Sequence, residues 1–252
     1  MKTQITFGVL CLLSLSACVT SEPFSKDNEA AASYNLQLGM DYMRQGNLSQ
    51  AKEKLDRSLQ QNPKNAQAYV AAGMLYDRIK ESRKADQYFA KAVALDPKNG
   101  EVVNSYAAFL CRKGEHSKGE QMAVTAANNP LYQTPELAWY NAGNCALDAK
   151  ENSKAEQYFR HALAVRADFS AALLQLAEIE FQGGNLLSAR GFMTRYLQSN
   201  KSSAASLWLG VRIERAAGNS ALADDYARRL KQDFPTATET KALLALENKK
   251  TS

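Results

Sequence analysis

The chain has 252 residues, 45% of them hydrophobic and 23% charged, with 13 Gly, 6 Pro and 4 Cys. Those proportions exclude a collagen-like, disulfide-dense or intrinsically disordered polypeptide. The formal charge of +5 is mild and its lysines and arginines are interspersed with acids, so no nucleic-acid partner is expected.

The N-terminus, MKTQITFGVLCLLSLSA over residues 1–17, has one basic residue, a short apolar stretch from Ile5 to Leu15, and then small residues. It reads as a secretory signal, too short to span a bilayer, and no later apolar run reaches the roughly 18 residues that a span requires. Leu15-Ser16-Ala17-Cys18 matches the lipobox of bacterial lipoproteins. That pattern implies diacylglycerol on the Cys18 thiol, cleavage before Cys18 and acylation of the freed amine. The alternative is an ordinary signal peptide with an accidental cysteine. One acyl chain binds a membrane only marginally, whereas two or more anchor it stably. Val19, Thr20 and Ser21 lack the Asp that retains many such proteins at the inner membrane, so the expected location is the outer membrane, inner leaflet, facing the periplasm. Residues 18–31 are read as the lipidated Cys and a polar leash; its stretch 19–30 contains Pro23 and extends at most about 40 Å.

The body repeats every 34 residues. Gly39 and Gly73, Tyr42 and Tyr76, Ala51 and Ala85, Ser58 and Ala92, and Pro63 and Pro97 all stand at that spacing. The stretch 137–163 carries the same pattern through Trp139, Gly143, Ala155, Phe159 and Ala162. This resembles the tetratricopeptide repeat, a helix-turn-helix unit that stacks into a right-handed superhelix. The residue types make physical sense. A mid-helix Gly costs about 1 kcal/mol against Ala, a cost offset where a neighbouring helix must come close. Ala51, Ala85, Ala155 and Ala189 have that role on the second helix. Gly46, Gly114, Gly184 and Gly218 suit the turn between the two helices. Pro63, Pro97 and Pro235 close second helices because proline lacks the N–H that a helix needs.

Extending the period predicts an all-α fold of six units over about 32–65, 66–99, 100–135, 136–169, 170–203 and 204–236. The third is two residues longer, and the sixth has one extra residue before Gly218. Thr236 and Glu239 are read as a capping box that opens a last helix over about 237–248, with Leu243, Leu244 and Leu246 as its apolar side. That helix caps the solenoid, and residues to 252 form a polar tail.

Little here promises chemistry. His116 is placed in a turn and His161 on a second helix; neither has a ligand spacing, and Cys-x-x-Cys does not occur. Acids sit beside Lys and Arg at surface positions, as solvated ion pairs do. No catalytic residue, metal or cofactor is expected, and an enzyme would need a pocket of converging polar groups. Once Cys11 leaves with the signal and Cys18 is acylated, Cys111 and Cys145 remain, 34 apart on the first helices of adjacent units. An exported compartment permits a disulfide between them. The alternative is two small buried hydrophobes, and the insertion in unit three leaves the Cα spacing open.

First helices of such solenoids line the concave face. The phase puts Leu36, Met40, Met43 and Arg44 there in unit one, and Val70, Met74, Asp77 and Arg78 in unit two. Leu36, Met40, Met43, Val70 and Met74 are read as a solvent-facing, protein-binding strip, because flexible thioethers suit an adaptable groove. The alternative is that they pack on the leash or the next helix. Apolar positions exclude the Lys/Asn-lined clamp that grips a terminal carboxylate. Units three to six are more mixed, with Asn104, Arg112, Tyr140, Asn144, Glu178 and Glu214.

Lipobox, leash and six units together resemble the type IV pilus biogenesis and stability lipoproteins of the PilF/PilW family. The more specific pieces are Asn104-Ser105-Tyr106 running to Phe109-Leu110-Cys111, then Asn144-Cys145, Ser206-Leu207-Trp208-Leu209-Gly210, and Phe234-Pro235. Ser105 and Ala107 depart from the family's Asn and Gly. The resemblance implies a pilotin that binds secretin subunits of the type IV pilus and promotes their outer-membrane localisation and multimerisation, monomeric when free. Two rivals stay open: a tetratricopeptide lipoprotein of outer-membrane barrel assembly, and an adaptor for peptidoglycan hydrolases.

Overall fold

The computed structural model describes residues 26–199 and 201–251, and within them every element is an α-helix. The helices alternate as first and second members of six units. These are α1 (Lys26–Gln45) with α2 (Leu48–Gln61), α3 (Ala66–Arg78) with α4 (Ser82–Leu95), and α5 (Gly100–Lys113) with α6 (His116–Ala127). Then follow α7 (Pro135–Asp148) with α8 (Asn152–Val165), α9 (Ser170–Gln182) with α10 (Leu186–Ser199), and α11 (Ala204–Ala216) with α12 (Ser220–Asp233). The last helix, α13 (Thr238–Thr251), packs on α11 and α12 as the cap.

Within each unit the two helices approach where the sequence places its smallest residues. A Cβ on Gly73 would lie 2.9 Å from the ring of Phe89, so only Gly lets α3 and α4 close on that ring. Unit three reverses the arrangement: Ala107 stands on the first helix and Gly119 on the second, facing the Cys111 sulfur and the Ala107 carbonyl. That reversal explains why unit three matches the repeat poorly.

All six turns share one geometry. Gly46, Lys80, Gly114, Lys150, Gly184 and Gly218 each take a left-handed φ between 64° and 92°. The next N–H reaches back five residues, as from Asn47 to Tyr42 O (2.9 Å) and from Glu151 to Ala146 O (2.8 Å). This is the Schellman closure of a helix end. Lys80 and Lys150 hold it without glycine, which is why the sequence shows only four of the six turn markers. Helix starts are set by side chains: Asn65, Asn99 and Asn219 accept from backbone N–H groups of the first turn, and Ser203 with Ser206 forms a reciprocal capping box.

Two boundary expectations change. Helix α1 begins at Lys26, so residues 26–31 of the expected leash are helical; Asp27 and Glu29 suit the positive end of the dipole, and Ala30 to Ala32 are strong helix formers. The Thr236–Glu239 capping box does not open α13. Instead Thr240, nearly buried, donates its hydroxyl to the Phe234 carbonyl (2.6 Å), and this contact draws the helix start to Thr238. Only Leu243 of the three leucines is buried; Leu244 and Leu246 face outward.

First helices of neighbouring units touch one another: α1 with α3, α3 with α5, α5 with α7, and α9 with α11. This crowding on one side makes the first helices the inner, concave wall. The core runs as a chain of clusters between units, with Phe89, Tyr106 and Phe109 stacked in the N-terminal half and Phe159, Leu173, Leu176 and Ile213 filling the C-terminal half.

Candidate functional site

The expected strip on units one and two is only partly at the surface. Met74 is 43% exposed and lies on the concave side of α3. Met43 and Val70 are buried, at 6% and 5%, which corrects the expectation that they face solvent. Met43 packs with Ala71 and Leu75 across the α1–α3 contact, and Val70 packs with Val102 and Tyr106 of unit three. Leu36 and Met40 are half-buried against the same cluster as Met43. Phase alone assigns these positions to the inner wall; the tightness of first-helix contacts decides which side chains the neighbour covers. Arg78 is also turned inward, donating to the Met43 carbonyl, whereas Asp77 accepts an ion pair from Arg112 at 2.8 Å.

Cys111 on α5 and Cys145 on α7 face each other with Cα atoms 5.1 Å apart, and the structure pairs their sulfurs as a disulfide. The two-residue insertion does not disturb this register, because it is taken up in the connection after α6. Cys18 lies outside the described residues.

That connection, residues 128–134, is longer than the four-residue links elsewhere. It lays the Tyr132 ring over Gly100, where a Cβ would be 2.6 Å away. Leu131 is left exposed, and the connection forms one wall of a cleft of about 710 Å³ that also takes in Asn99, Asn104 and Leu137. Asn104, itself buried, donates to the Tyr132 hydroxyl (3.0 Å) and accepts from Asn141 (2.9 Å). The inner wall then continues through a recess of about 330 Å³ at Ala108, Arg112, Asn144 and Gln175. Next comes one of about 310 Å³ at Leu174, Glu178, Trp208, Arg212 and Glu239. Glu178 is held by the Arg212 guanidinium in two hydrogen bonds of 2.8 and 3.1 Å, and that guanidinium also lies 4.7 Å from the Phe181 ring centre.

The remaining motif residues are structural. Tyr106 donates to Asp86 at 2.7 Å; burial and that acceptor both push its phenol up from the usual value. Tyr158, half-buried and donating to Glu120 at 2.6 Å, is likewise pushed up to about 12. His116 is the first residue of α6 rather than a turn residue, and His161 lies 4.8 Å from the Trp139 ring. Tyr140 packs on Phe159 and Phe169.

Sequence reasoning missed three buried acids. Glu136, Glu180 and Glu214 are read as surface positions but are 5–6% exposed, paired with Arg166, Arg160 and Arg190. Asn185 and Asn219, each five residues after Glu180 and Glu214, donate to them too. The repeated Glu-x₄-Asn was the available signal. Among the described residues, no group of three or more His, Cys, Asp or Glu could hold a metal ion, and no helix is long and apolar enough to cross a membrane.

The tetratricopeptide-repeat family model matches residues 36–100 and 140–205, more than half of the chain. A crystal structure of PilW, a widely conserved type IV pilus biogenesis factor, is 30% identical with a TM-score of 0.76, over 84% of this chain and 98% of that one. The chain belongs to the tetratricopeptide-repeat proteins of type IV pilus biogenesis. The type IV pilus assembly protein PilF of Pseudomonas aeruginosa is 29% identical over 245 residues, spanning 95% of this chain and 97% of that protein. A solved structure of PilF superposes with a TM-score of 0.76 at 27% identity, over 87% of this chain and 99% of the other. The likeness covers the full succession of units, not one repeat borrowed from a common scaffold.

Proposed function

We propose that the chain is a lipid-anchored pilotin that binds rather than catalyses. Acylated Cys18 holds it to the inner leaflet of the outer membrane, facing the periplasm. There it binds secretin subunits of the type IV pilus and promotes their localisation and multimerisation. The observation that carries this reading is the end-to-end likeness to PilF and PilW. The lipobox Leu15-Ser16-Ala17-Cys18 supplies the anchor, with at most residues 19–25 between it and α1. The start of α1 therefore stays within about 25 Å of the membrane surface. Met74 offers an accessible apolar side chain at that end, and Leu36 and Met40 are half-buried against the Met43 cluster.

Two experiments test the reading. Labelling with a fatty-acid analogue should mark the wild-type chain and not Cys18→Ala; an unlabelled wild type overturns the lipoprotein. Met74→Glu should fold normally and weaken secretin recovery from detergent-solubilised envelopes at least tenfold, because the complex would have to bury a charge. Recovery of barrel-assembly proteins or peptidoglycan hydrolases in place of the secretin would overturn the partner.

A further inference from the structure

In a solenoid each unit contacts only its neighbours, so stiffness is set junction by junction. Arg78 and Arg112 stand two residues before the left-handed residues of their turns, Lys80 and Gly114. Each ties its unit to the preceding first helix: Arg78 donates to the Met43 carbonyl of α1, and Arg112 pairs with Asp77 of α3 at 2.8 Å. Unit four has Asp148 at that place, and it is tied to α5 by the disulfide and by Asn141 donating to Asn104. Unit six is tied to unit five through Arg212, which grips Glu178. Unit five has Gln182, which donates instead to Glu178 of its own helix at 2.8 Å. Among the described residues, no hydrogen bond, ion pair or disulfide joins α7 to α9, and these two do not pack on each other as the other successive first helices do.

The convex side of the same junction is packed. Helix α8 rests on α9, with Phe159, Leu173 and Leu176 in one core, and Arg160 pairs with buried Glu180 at 2.7 Å. Contact on one side and a gap on the other leave one direction of movement: α9 swinging toward α7 about the α8–α9 contact. The recess of about 330 Å³ lies in that gap and has Asn144 of α7 and Gln175 of α9 on its walls. Both are half-buried, and neither side chain has a hydrogen-bond partner among the described residues. A primary amide carries donor and acceptor together, so two of them across a gap complete each other when it closes. One neutral hydrogen bond is a small net gain, which keeps the open and closed arrangements close in free energy.

We infer that the junction between units four and five is a hinge, dividing the superhelix into two bodies: units one to four, and units five and six with α13. The arrangement described above is the open one; the closed one joins Asn144 to Gln175 and tightens the curvature of the solenoid. The hinge is free because position 182 holds glutamine where units two and three hold arginine. A restored arginine would find Asp148 on α7, which makes no ion pair among the described residues. This mobility does not depend on the pilotin reading.

Pulsed dipolar EPR on the full chain in detergent measures it, with nitroxides on ketone-bearing unnatural residues so that the disulfide is untouched. One pair, Lys91 with Gln157, spans two units within the first body; the other, Gln121 with Thr194, spans two units across the junction, and all four positions are exposed on second helices. The distance distribution across the junction should be at least twice as wide as the internal one. Gln182→Arg should narrow it to the internal width with unchanged helix content. Asn144→Asp combined with Gln175→Lys, which ties the two walls by charge, should lengthen the cross-junction distance, because closing the concave gap spreads the convex side. Asn144→Lys combined with Gln175→Lys should not lengthen it. Equal widths in the wild type, a width indifferent to Gln182→Arg in the folded chain, or a distance that the opposite-charge and like-charge pairs shift alike would each overturn the hinge.

Discussion

Four residues before the left-handed turn residue, units one and two carry Tyr42 and Tyr76, whereas units five and six carry Glu180 and Glu214. The same place in the repeat is therefore stabilised by different physics at the two ends. Tyr76 is buried and stacks on Tyr88 with ring centres 5.1 Å apart. Glu180 accepts from Arg160 of the preceding unit at 2.7 Å and from Asn185 of its own turn at 2.9 Å. An aromatic joint gains from excluding water and tolerates any partner of similar shape. An ionic joint contributes little net free energy, yet it is costly to half-remove, because a buried carboxylate without its cation is left desolvated. The N-terminal half is thus built on packing, and the C-terminal half adds a polar pairing that the next unit must match.

The largest effect should come from the packed half. Phe89→Ala, at a ring buried between Gly73, Tyr106 and Phe109, should cost about 3–5 kcal/mol and lower hydrogen-exchange protection chiefly in α3 to α5. An effect spread evenly to α11 would show that the halves do not unfold separately.

Between the halves stands the Cys111–Cys145 pair, joining units three and four across the long connection. Whole-protein mass under non-reducing conditions should be two hydrogens below the dithiol form. Reduction should cost about 2–4 kcal/mol without abolishing the fold, since every unit also packs on its neighbours. Complete alkylation of both cysteines without reductant overturns the bond.

The ionic joint makes an asymmetric prediction. Arg160→Met should cost about 1–3 kcal/mol by leaving Glu180 with Asn185 but without its cation, whereas Glu180→Leu should cost less, because the half-exposed guanidinium can return to water and to Glu156. Urea unfolding compares the two, and equal costs would show that burial of Glu180 carries no penalty.

The smallest effect is a pH dependence. Burial pushes the Asp86 carboxyl up, but hydrogen bonds from Lys113 and Tyr106 outweigh it and hold the group below its ordinary value. A depressed folded value means stability that is present above about pH 4, the ordinary range for Asp, and lost as pH falls through the folded value. Melting temperature should therefore fall more steeply on acidification in the wild type than in Asp86→Asn; parallel curves would remove Asp86 from the account.

Repeat length, helix order, unit count and the turns at Gly46, Gly114, Gly184 and Gly218 are legible in the sequence. Local sterics write them: a Gly where helices touch, a left-handed Gly at four of the six turns, a Pro two residues past a helix. The inner-wall phase is legible too, and so is the adjacency of Cys111 and Cys145. What sequence periodicity does not contain is how closely one unit sits on the next, and that distance decides burial. It hides Met43 and Val70 while leaving Met74 exposed, and draws Glu180 and Glu214 inside beside arginines of the preceding unit. It also sets Asn144 and Gln175, 31 residues apart in the chain, at the walls of one recess. Periodicity reports which side of a helix a residue is on; only the packed neighbour determines whether water still reaches it.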